Sequence, residues 1–162
     1  DQNKIDLKDK SCLIIGSGGA AYAIAHALIL CQVGSIKIEN RSSQNKVKFE
    51  KWINKRFNRN LNSVPEVIIN CTPLGLYPNT DKIPSNLIVK SDNIIIDTIY
   101  NPLKTKWLMQ CEEKGAKIIN GLDMLISQGI ASLNIWLNDD FFNKLDLKKI
   151  KNILENELCL QK

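Results

Sequence analysis

The chain has 162 residues, of which 44% are hydrophobic and 24% charged, and its formal net charge is +5. This length suits one domain over residues 1–162, and the composition is that of an ordinary soluble globular protein. The chain has no apolar run near the roughly 18 residues that a membrane span requires, and it opens on a polar stretch rather than a secretory signal. We therefore expect a cytoplasmic protein without membrane contact.

Cysteine and histidine usage argues against metal chemistry. The five cysteines are scattered, form no C-x-x-C pair and mostly fall in apolar runs. This pattern is typical of small buried side chains in a reducing cytoplasm. The single histidine, His26, falls inside a helical pattern, where packing or partial exposure is its ordinary role. We therefore predict no metal site and no histidine-based catalytic triad.

Positive charge is concentrated in one segment. Its basic residues are Lys46, Lys48, Lys51, Lys55, Arg56 and Arg59. Such a cluster is compatible with nucleic-acid binding. A solvated helix face is the favoured interpretation, because the chain offers neither stacking aromatic residues nor a known nucleic-acid module. No nucleic-acid partner is expected.

The most informative motif is the segment Gly16-Ser17-Gly18-Gly19-Ala20. It follows the apolar run Cys12–Ile15 and leads into a helical pattern of small residues. Strand, glycine turn and helix together predict a nucleotide site, since the helix N-terminus offers free N–H groups to a pyrophosphate. Ala21 stands where the usual motif has its third glycine. The alternative is an ordinary strand-to-helix turn that binds nothing.

Short apolar segments alternate with helical patterns along the chain. The predicted strands are Ser11–Ile15, Ser35–Glu39, Val67–Cys71, Asn93–Asp97 and Lys117–Ile119. The predicted helices are Ala20–Cys31, Gln44–Asn58, Thr105–Lys114, an apolar-striped stretch after Gly121, and Leu147–Leu158. This order predicts an α/β fold with a Rossmann-like open, mainly parallel sheet and helices on both faces. The short connection Leu61–Glu66 leaves room for one strand fewer than usual.

Two residues compete at the end of the second predicted strand. In dinucleotide-binding folds this position, some 20 residues past the glycines, meets the adenosine ribose. Glu39 would favour NAD, whereas Arg41 would favour the 2′-phosphate of NADP through a charge-assisted contact. Because Glu39 lies within the strand and Arg41 follows its end, we favour Arg41 and NADP.

Three further motifs follow strand ends or nearby turns, where ligands of open α/β sheets bind. They are Asn70-Cys71-Thr72-Pro73-Leu74-Gly75, Asp97-Thr98-Ile99-Tyr100-Asn101-Pro102, and the segment from Asn120-Gly121 to Gln128. Taken singly, each could also be a tight turn without a ligand.

Taken together and in this order, the motifs resemble those of the NADP-binding half of shikimate dehydrogenase. The resemblance extends from about Lys10 to Leu158. It implies that Gly16, Ser17, Gly18, Gly19 and Ala20 hold the pyrophosphate, and that Asn40, Arg41 and Ser42 meet the adenosine 2′-phosphate. It further implies cofactor contacts near the nicotinamide from Thr72, Pro73, Thr98 and Gly121. It assigns Tyr100 and Gln128 to the substrate.

The sequence departs from the family's pattern in several places. Ser42 replaces a threonine and keeps its hydroxyl, and Thr98 is polar where the family usually has an apolar residue. Asn45 stands where many members have a second arginine, a role that Lys46 or Lys48 could take over.

The resemblance places the family's catalytic lysine and aspartate in an N-terminal substrate domain, and the residues before Lys10 are too few to form it. We therefore expect no catalytic residue in this chain and no activity from it alone. The full enzyme is expected to reduce 3-dehydroshikimate to shikimate with NADPH in aromatic amino acid biosynthesis. A homodimer is one possible assembly of that enzyme. The alternatives are a quinate/shikimate dehydrogenase using NAD and a non-catalytic Rossmann nucleotide-binding module.

Overall fold

The computed structural model describes residues 5–57 and 64–160, which form an α/β fold around one parallel sheet. Its strands in the described ranges are β1 (Ser11–Ile15), β2 (Ser35–Glu39), β3 (Val67–Asn70), β4 (Ile94–Asp97) and β5 (Lys117–Ile119). They lie side by side in the order β2-β1-β3-β4-β5, and every neighbouring pair is parallel. The chain therefore reverses its direction of winding between β1 and β3, where open α/β sheets bind their ligands.

Five helices complete the described part of the fold. They are α1 (Gly19–Leu30), α2 (Ser43–Asn54), α3 (Lys106–Glu113), α4 (Leu122–Leu137) and α5 (Leu147–Leu160). Side chains cap three of them. The Ser42 hydroxyl accepts from Asn45 N at the start of α2, the Thr105 hydroxyl from Leu108 N at the start of α3, and Asp146 Oδ1 from Lys149 N at the start of α5. Each cap satisfies a backbone N–H that the helix cannot use itself.

Helices cover both faces of the sheet. On one face, α1 and α2 pack against β1, β2 and β3 through a cluster that includes Ala25, Ile36 and Phe49. On the other face, α3 packs against β1, β3 and β4 through a cluster that includes Ile95 and Trp107. Burial on both faces explains why the strand sequences are continuously apolar rather than alternating.

Helices α4 and α5 form a third cluster with each other. Leu122, Ile126 and Ile130 are its buried members, and apolar side chains of α5 pack against them. A salt bridge between Lys151 Nζ and Asp123 Oδ1, 2.8 Å long, ties the two helices together. The apolar stripe that follows Gly121 in the sequence is thus explained by contact with the last helix.

The predicted fold class is confirmed, and most element boundaries fall within a residue or two of the prediction. Strand β3 ends at Asn70 and β4 begins at Ile94, each one residue inside its predicted range. The predicted end of the second helix was wrong, since α2 stops at Asn54; predicted residue 58 lies outside the described residues, as do residues 61–63 of the short connection.

Several compositional predictions can be compared with the structure. All five cysteines are free, but Cys31 and Cys159 are exposed, so the prediction of buried cysteines was wrong for these two. Helix α2 exposes Lys48 and Lys51, and Lys55 directly after the helix is also exposed, while Arg59 lies outside the described residues. Within residues 5–57 and 64–160, no helix is long and apolar enough to cross a membrane. The same ranges contain no group of three or more His, Cys, Asp or Glu side chains placed to hold a metal ion.

Candidate dinucleotide site

The candidate site lies at the carboxyl ends of four neighbouring strands. The parallel register pairs Ile15 of β1 with Glu39 of β2 and with Asn70 of β3, and it pairs Asn70 with Asp97 of β4. These four last residues form one row across the sheet. The glycine turn, the Arg41 loop and the loops after β3 and β4 therefore start from the same edge.

Gly16 joins the glycine turn to the loop after β3. It is buried and has a φ of 107°, a conformation that L side chains rarely adopt. A Cβ at this position would lie 3.0 Å from the Cys71 carbonyl oxygen and 3.1 Å from Thr72 Cγ2. Glycine is required here by both conformation and close backbone packing, which brings the turns after β1 and β3 into contact.

The start of α1 is open. Gly18 occupies the N-cap position without any side-chain cap, and the first turn of α1 contains no acidic residue. A Cβ at Gly18 or at Gly19 would meet no atom within 4 Å, and Ala20 is exposed beside them. The free backbone N–H groups and the partial positive charge of the helix end are thus accessible to an anion.

The loop after β2 separates the two residues that compete in the sequence. The Glu39 carboxylate accepts a hydrogen bond of 3.2 Å from the Ser85 hydroxyl, in the long segment between β3 and β4. Arg41 is exposed, and no hydrogen bond or ion pair joins it to another described residue. The loop itself is shaped locally, because Asn40 Nδ2 donates to the Ser42 carbonyl at 2.9 Å. Within the described part of the chain, the Arg41 guanidinium therefore lies exposed and unpaired at this end of the site.

The loop after β3 is held by the buried side chain of Asn70. Asn70 Oδ1 accepts from Thr72 N at 2.9 Å and from Thr72 Oγ1 at 2.7 Å. The Thr72 hydroxyl in turn accepts from Leu74 N at 3.3 Å. Because the Thr72 hydroxyl donates its proton to Asn70, it is not free to donate a hydrogen bond to a ligand. Pro73, the next residue, is exposed.

Asp97 is buried at the end of β4 and connects this loop to α3. Its Oδ1 accepts from Asn70 Nδ2 at 2.9 Å and from Ile99 N at 3.1 Å, and its Oδ2 accepts from Thr105 Oγ1 at 2.8 Å. Burial raises the pKa of Asp97, while hydrogen bonds from Thr105, Ile99 and Asn70 oppose that rise. Burial, assisted by the nearby Asp97 charge, also raises the pKa of the Cys71 thiol to about 12, so Cys71 stays protonated near neutral pH.

Thr98 and Gly121 meet through the backbone. Gly121 N donates to the Ile99 carbonyl at 2.9 Å, and a Cβ on Gly121 would lie only 2.0 Å from the Thr98 carbonyl oxygen. This contact fixes the start of α4 beside the end of β4. Close backbone packing therefore favours glycine at position 121, whether or not a ligand binds there.

Tyr100 and Gln128 differ in their surroundings. Tyr100 is partly buried against the α4 cluster of Leu122, Ile126 and Ile130. Gln128 is exposed on α4, and its carbonyl accepts from the Ser132 hydroxyl at 2.9 Å. Both remain available to a ligand on the α4 side, although the structure records no contact between them.

An apolar cleft of about 890 Å³ borders residues 101–104 of the loop after β4. Its lining includes Tyr77, Leu103, Met109 and Leu158, and no residue of the glycine turn borders it. A smaller apolar cleft of about 260 Å³ is lined by Thr98 and Gly121, and the glycine turn does not border it either. The glycine-turn end of the candidate site is therefore defined by strand ends and an open helix terminus.

Sequence reasoning placed Asn70 and Asp97 in strand-end motifs but assigned no role to them or to Thr105. All three are fully buried and connected by hydrogen bonds at the strand ends. One signal was available, since Asn70 and Asp97 are the polar last residues of otherwise apolar strands. Their pairing depends on β3 and β4 being neighbours in register, which the sequence does not specify.

Curated relatives and solved structures similar to this chain include several shikimate dehydrogenases. No protein-family model matches the chain. A shikimate dehydrogenase (NADP(+)) of Clostridium perfringens is 34% identical over 168 residues, a match that covers 98% of this chain. The chain is a homologue of the shikimate dehydrogenases. It spans just over half of these relatives, since it covers 59% of the Clostridium perfringens protein and 56% of one from Staphylococcus epidermidis.

Solved shikimate dehydrogenases have the same fold over this region. One, in complex with NADP+, is 32% identical with a TM-score of 0.79, covering 93% of this chain and 55% of that one. The shikimate 5-dehydrogenase of Listeria monocytogenes, in complex with shikimate and NAD, is 28% identical with a TM-score of 0.80. That match covers 94% of this chain and 58% of the Listeria chain.

Proposed function

We propose that this chain binds NADP(H) and is the cofactor-binding half of an NADPH-dependent shikimate dehydrogenase, which reduces 3-dehydroshikimate to shikimate. The observation that carries the proposal is the open N-terminus of α1 behind a glycine turn at the β1/β3 reversal. The proposal is further supported by homology to enzymes of that name and by the match to a structure that holds NADP+.

The glycine turn suits a pyrophosphate. Gly18 and Gly19 leave the first turn of α1 without side chains, so phosphate oxygens can approach the backbone N–H groups. The proposal assigns this contact to Gly16, Ser17, Gly18, Gly19 and Ala20. Gly16 would act by forming the turn, since it is buried, while the remaining four positions are at least partly accessible.

The loop after β2 suits a 2′-phosphate. The exposed guanidinium of Arg41 lacks a partner among the described residues, and a planar guanidinium forms strong paired hydrogen bonds with phosphate. Asn40 and Ser42 shape the loop around it. Glu39, which would favour a free ribose 2′-hydroxyl, is already hydrogen-bonded to Ser85. This arrangement favours NADP over NAD.

The second nucleoside and the substrate are assigned to the other strand ends. The proposal places the nicotinamide beside Thr72, Pro73, Thr98 and Gly121, and the substrate within reach of Tyr100 and Gln128. When bound, NADPH supplies the hydride. The reduced ketone oxygen also needs a proton donor, and the proposal assigns that donor to the part of the family's length that this chain does not match.

Two alternatives remain. NAD is the alternative cofactor, since the Listeria shikimate 5-dehydrogenase was solved with NAD. A nucleotide-binding module without catalysis is the alternative function, because the chain matches little more than half of its relatives. The proposal includes a cytoplasmic location, which is supported by the five free thiols, since free thiols persist in reducing compartments.

The function can be tested by joining this chain to the unmatched part of the Clostridium perfringens relative and following NADPH formation from shikimate and NADP. We expect the chimaera to turn over and residues 1–162 alone not to. Turnover by the chain alone near the typical enzyme rate of about 10 per second would contradict the division of roles. An inactive chimaera that still binds NADPH would favour the binding module.

A further inference from the structure

The carboxamide of Asn70 is engaged at both of its ends. Its oxygen accepts from Thr72 N and Thr72 Oγ1, and its nitrogen donates to Asp97 Oδ1 at 2.9 Å and to the Leu74 carbonyl at 3.4 Å. The side chain is fully buried. One amide therefore binds both ends of the Thr72–Leu74 loop and connects that loop to β4.

Asp97 fixes the orientation of this amide. Its two oxygens are held from the far side by Thr105 Oγ1 and Ile99 N, so Oδ1 has one defined direction in which to accept from Asn70. Thr105 is itself anchored as the N-cap of α3. The loop is thus connected through Asn70 and Asp97 to a rigid element on the α3 face of the sheet.

The loop that Asn70 holds lies against the glycine turn, because Thr72 Cγ2 would be 3.1 Å from a Cβ at Gly16. The strand order also fixes the order in which these loops follow one another along the edge of the sheet. Arg41 follows β2, the glycine turn follows β1, and the Thr72–Leu74 loop follows β3, the next strand along. A dinucleotide with its 2′-phosphate at Arg41 and its pyrophosphate on α1 therefore extends its second nucleoside over the loop after β3.

We infer that Asn70 is a positioning residue for the second nucleoside of the dinucleotide: braced by Asp97, it sets the loop after β3 against the glycine turn. Asn70 is buried and does not touch the ligand; it acts through Thr72. This inference rests on the proposed function. It assigns a role in binding to a hydrogen-bonded group that would otherwise be read as packing alone.

The test compares two ligands. NADPH has both nucleosides, whereas adenosine 2′,5′-bisphosphate has only the half that Arg41 and α1 would hold. We expect Asn70→Ala to weaken NADPH by about tenfold, the scale of a lost hydrogen bond, and to change adenosine 2′,5′-bisphosphate affinity by less than about twofold. Titration calorimetry of the folded variants gives both affinities.

Asn93→Ala is the matched control. Asn93 is also buried, and its side chain makes three hydrogen bonds, with Lys90 N, the Pro65 carbonyl and the Glu66 carbonyl. It precedes β4, at the end of the strands opposite to the candidate site. We expect it to destabilise the fold and to leave both affinities unchanged.

A second pair of variants covers the case in which Asn70→Ala does not fold. Thr72→Val removes the hydroxyl bonds to Asn70 and Leu74 at a partly exposed position, and Thr72→Ser restores the hydroxyl. We expect the valine variant to lose NADPH affinity selectively and the serine variant to recover it.

The failures can be told apart. If the unaltered chain does not bind NADPH, the proposed function is wrong, and this inference falls with it. If the unaltered chain binds NADPH but Asn70→Ala or Thr72→Val binds it equally well, or loses both ligands to the same extent, the positioning role alone is wrong.

Discussion

A Cβ on Gly121 would lie 2.0 Å from the carbonyl oxygen of Thr98, so the start of α4 rests directly on the backbone that follows β4. Backbone atoms cannot give way as the end of a flexible side chain can. Any side chain at position 121 must therefore push α4 away from β4. It would also strain the hydrogen bond that Gly121 N donates to the Ile99 carbonyl.

We predict that Gly121→Ala destabilises the protein by about 1–3 kcal/mol, the range typical of overpacking. Gly129→Ala is the matched control on the same helix, because a Cβ at Gly129 meets no atom within 4 Å. It should stabilise by about 0.5–1 kcal/mol, since alanine is preferred inside helices. Urea unfolding followed by circular dichroism measures both; a neutral Gly121→Ala would contradict the close contact.

Gly18→Val should abolish NADPH binding in a folded protein. Gly18 has an extended conformation with φ −82° and ψ −174°, which valine adopts readily, and its Cβ would enter open space. The fold should lose no more than about 1 kcal/mol, the scale of a weakened helix N-cap. The added side chain would stand where phosphate must approach the N–H groups of α1. Titration of a variant with unchanged helicity tests this, and normal NADPH affinity would mean that the turn is purely structural.

Arg41→Ala should weaken NADPH binding by about 1.5–3 kcal/mol, the scale of hydrogen bonds to a charged group. NADH binding should change little, since NADH lacks the 2′-phosphate.

Arg56→Ala is the charge-matched control for Arg41. It removes the same charge just past the other end of α2, where the Arg56 guanidinium lies 4.3 Å from the centre of the Trp52 ring and donates to the Trp52 carbonyl. We expect its NADPH affinity to stay close to that of the unaltered chain. Equal losses in the two variants would mean that general positive charge, rather than a contact at Arg41, attracts the cofactor.

Glu66 gives a prediction about pH. Its carboxylate accepts from Ser11 N and from Lys10 Nζ, each at 3.0 Å, and these bonds, Ser11 N first, hold its pKa below the ordinary value. A lowered folded-state pKa means that the carboxylate stabilises the fold above the unfolded pKa and that this contribution is lost as the pH falls through the folded pKa.

Glu66→Gln should therefore be less stable than the unaltered chain at pH 7, and the difference should shrink as the pH falls below the ordinary glutamate pKa. Unfolding by urea at a series of pH values, with both proteins measured side by side, gives this difference directly. A difference that stays constant down to acidic pH would show that the ionised carboxylate contributes nothing through these bonds.

The sequence predicts the elements of this fold better than the contacts between them. The glycine turn after Ile15 was identified because its signal is local: an apolar run, glycines and a helical pattern in succession. The end of α2 at Asn54 was missed because the polar, basic pattern continues past it without a glycine or proline to stop it.

Contacts between distant segments were not predictable in the same way. Asn70 and Asp97 are 27 residues apart and meet only because β3 and β4 are adjacent in register. Likewise, the Glu39 carboxylate accepts a hydrogen bond from Ser85, which lies in a segment without helix or strand. The sequence does not predict this contact. The choice between Glu39 and Arg41 could therefore rest only on their positions relative to the end of the strand.

The central claim is that the edge formed by the glycine turn and Arg41 binds NADP(H). Its most direct test is calorimetric titration of the unaltered chain with NADPH and, in parallel, with NADH. The account predicts saturable binding of one NADPH per chain, with NADH at least about tenfold weaker, as expected if a charge-assisted contact to the 2′-phosphate is lost. Equal or tighter binding of NADH, or no binding of either, would contradict it.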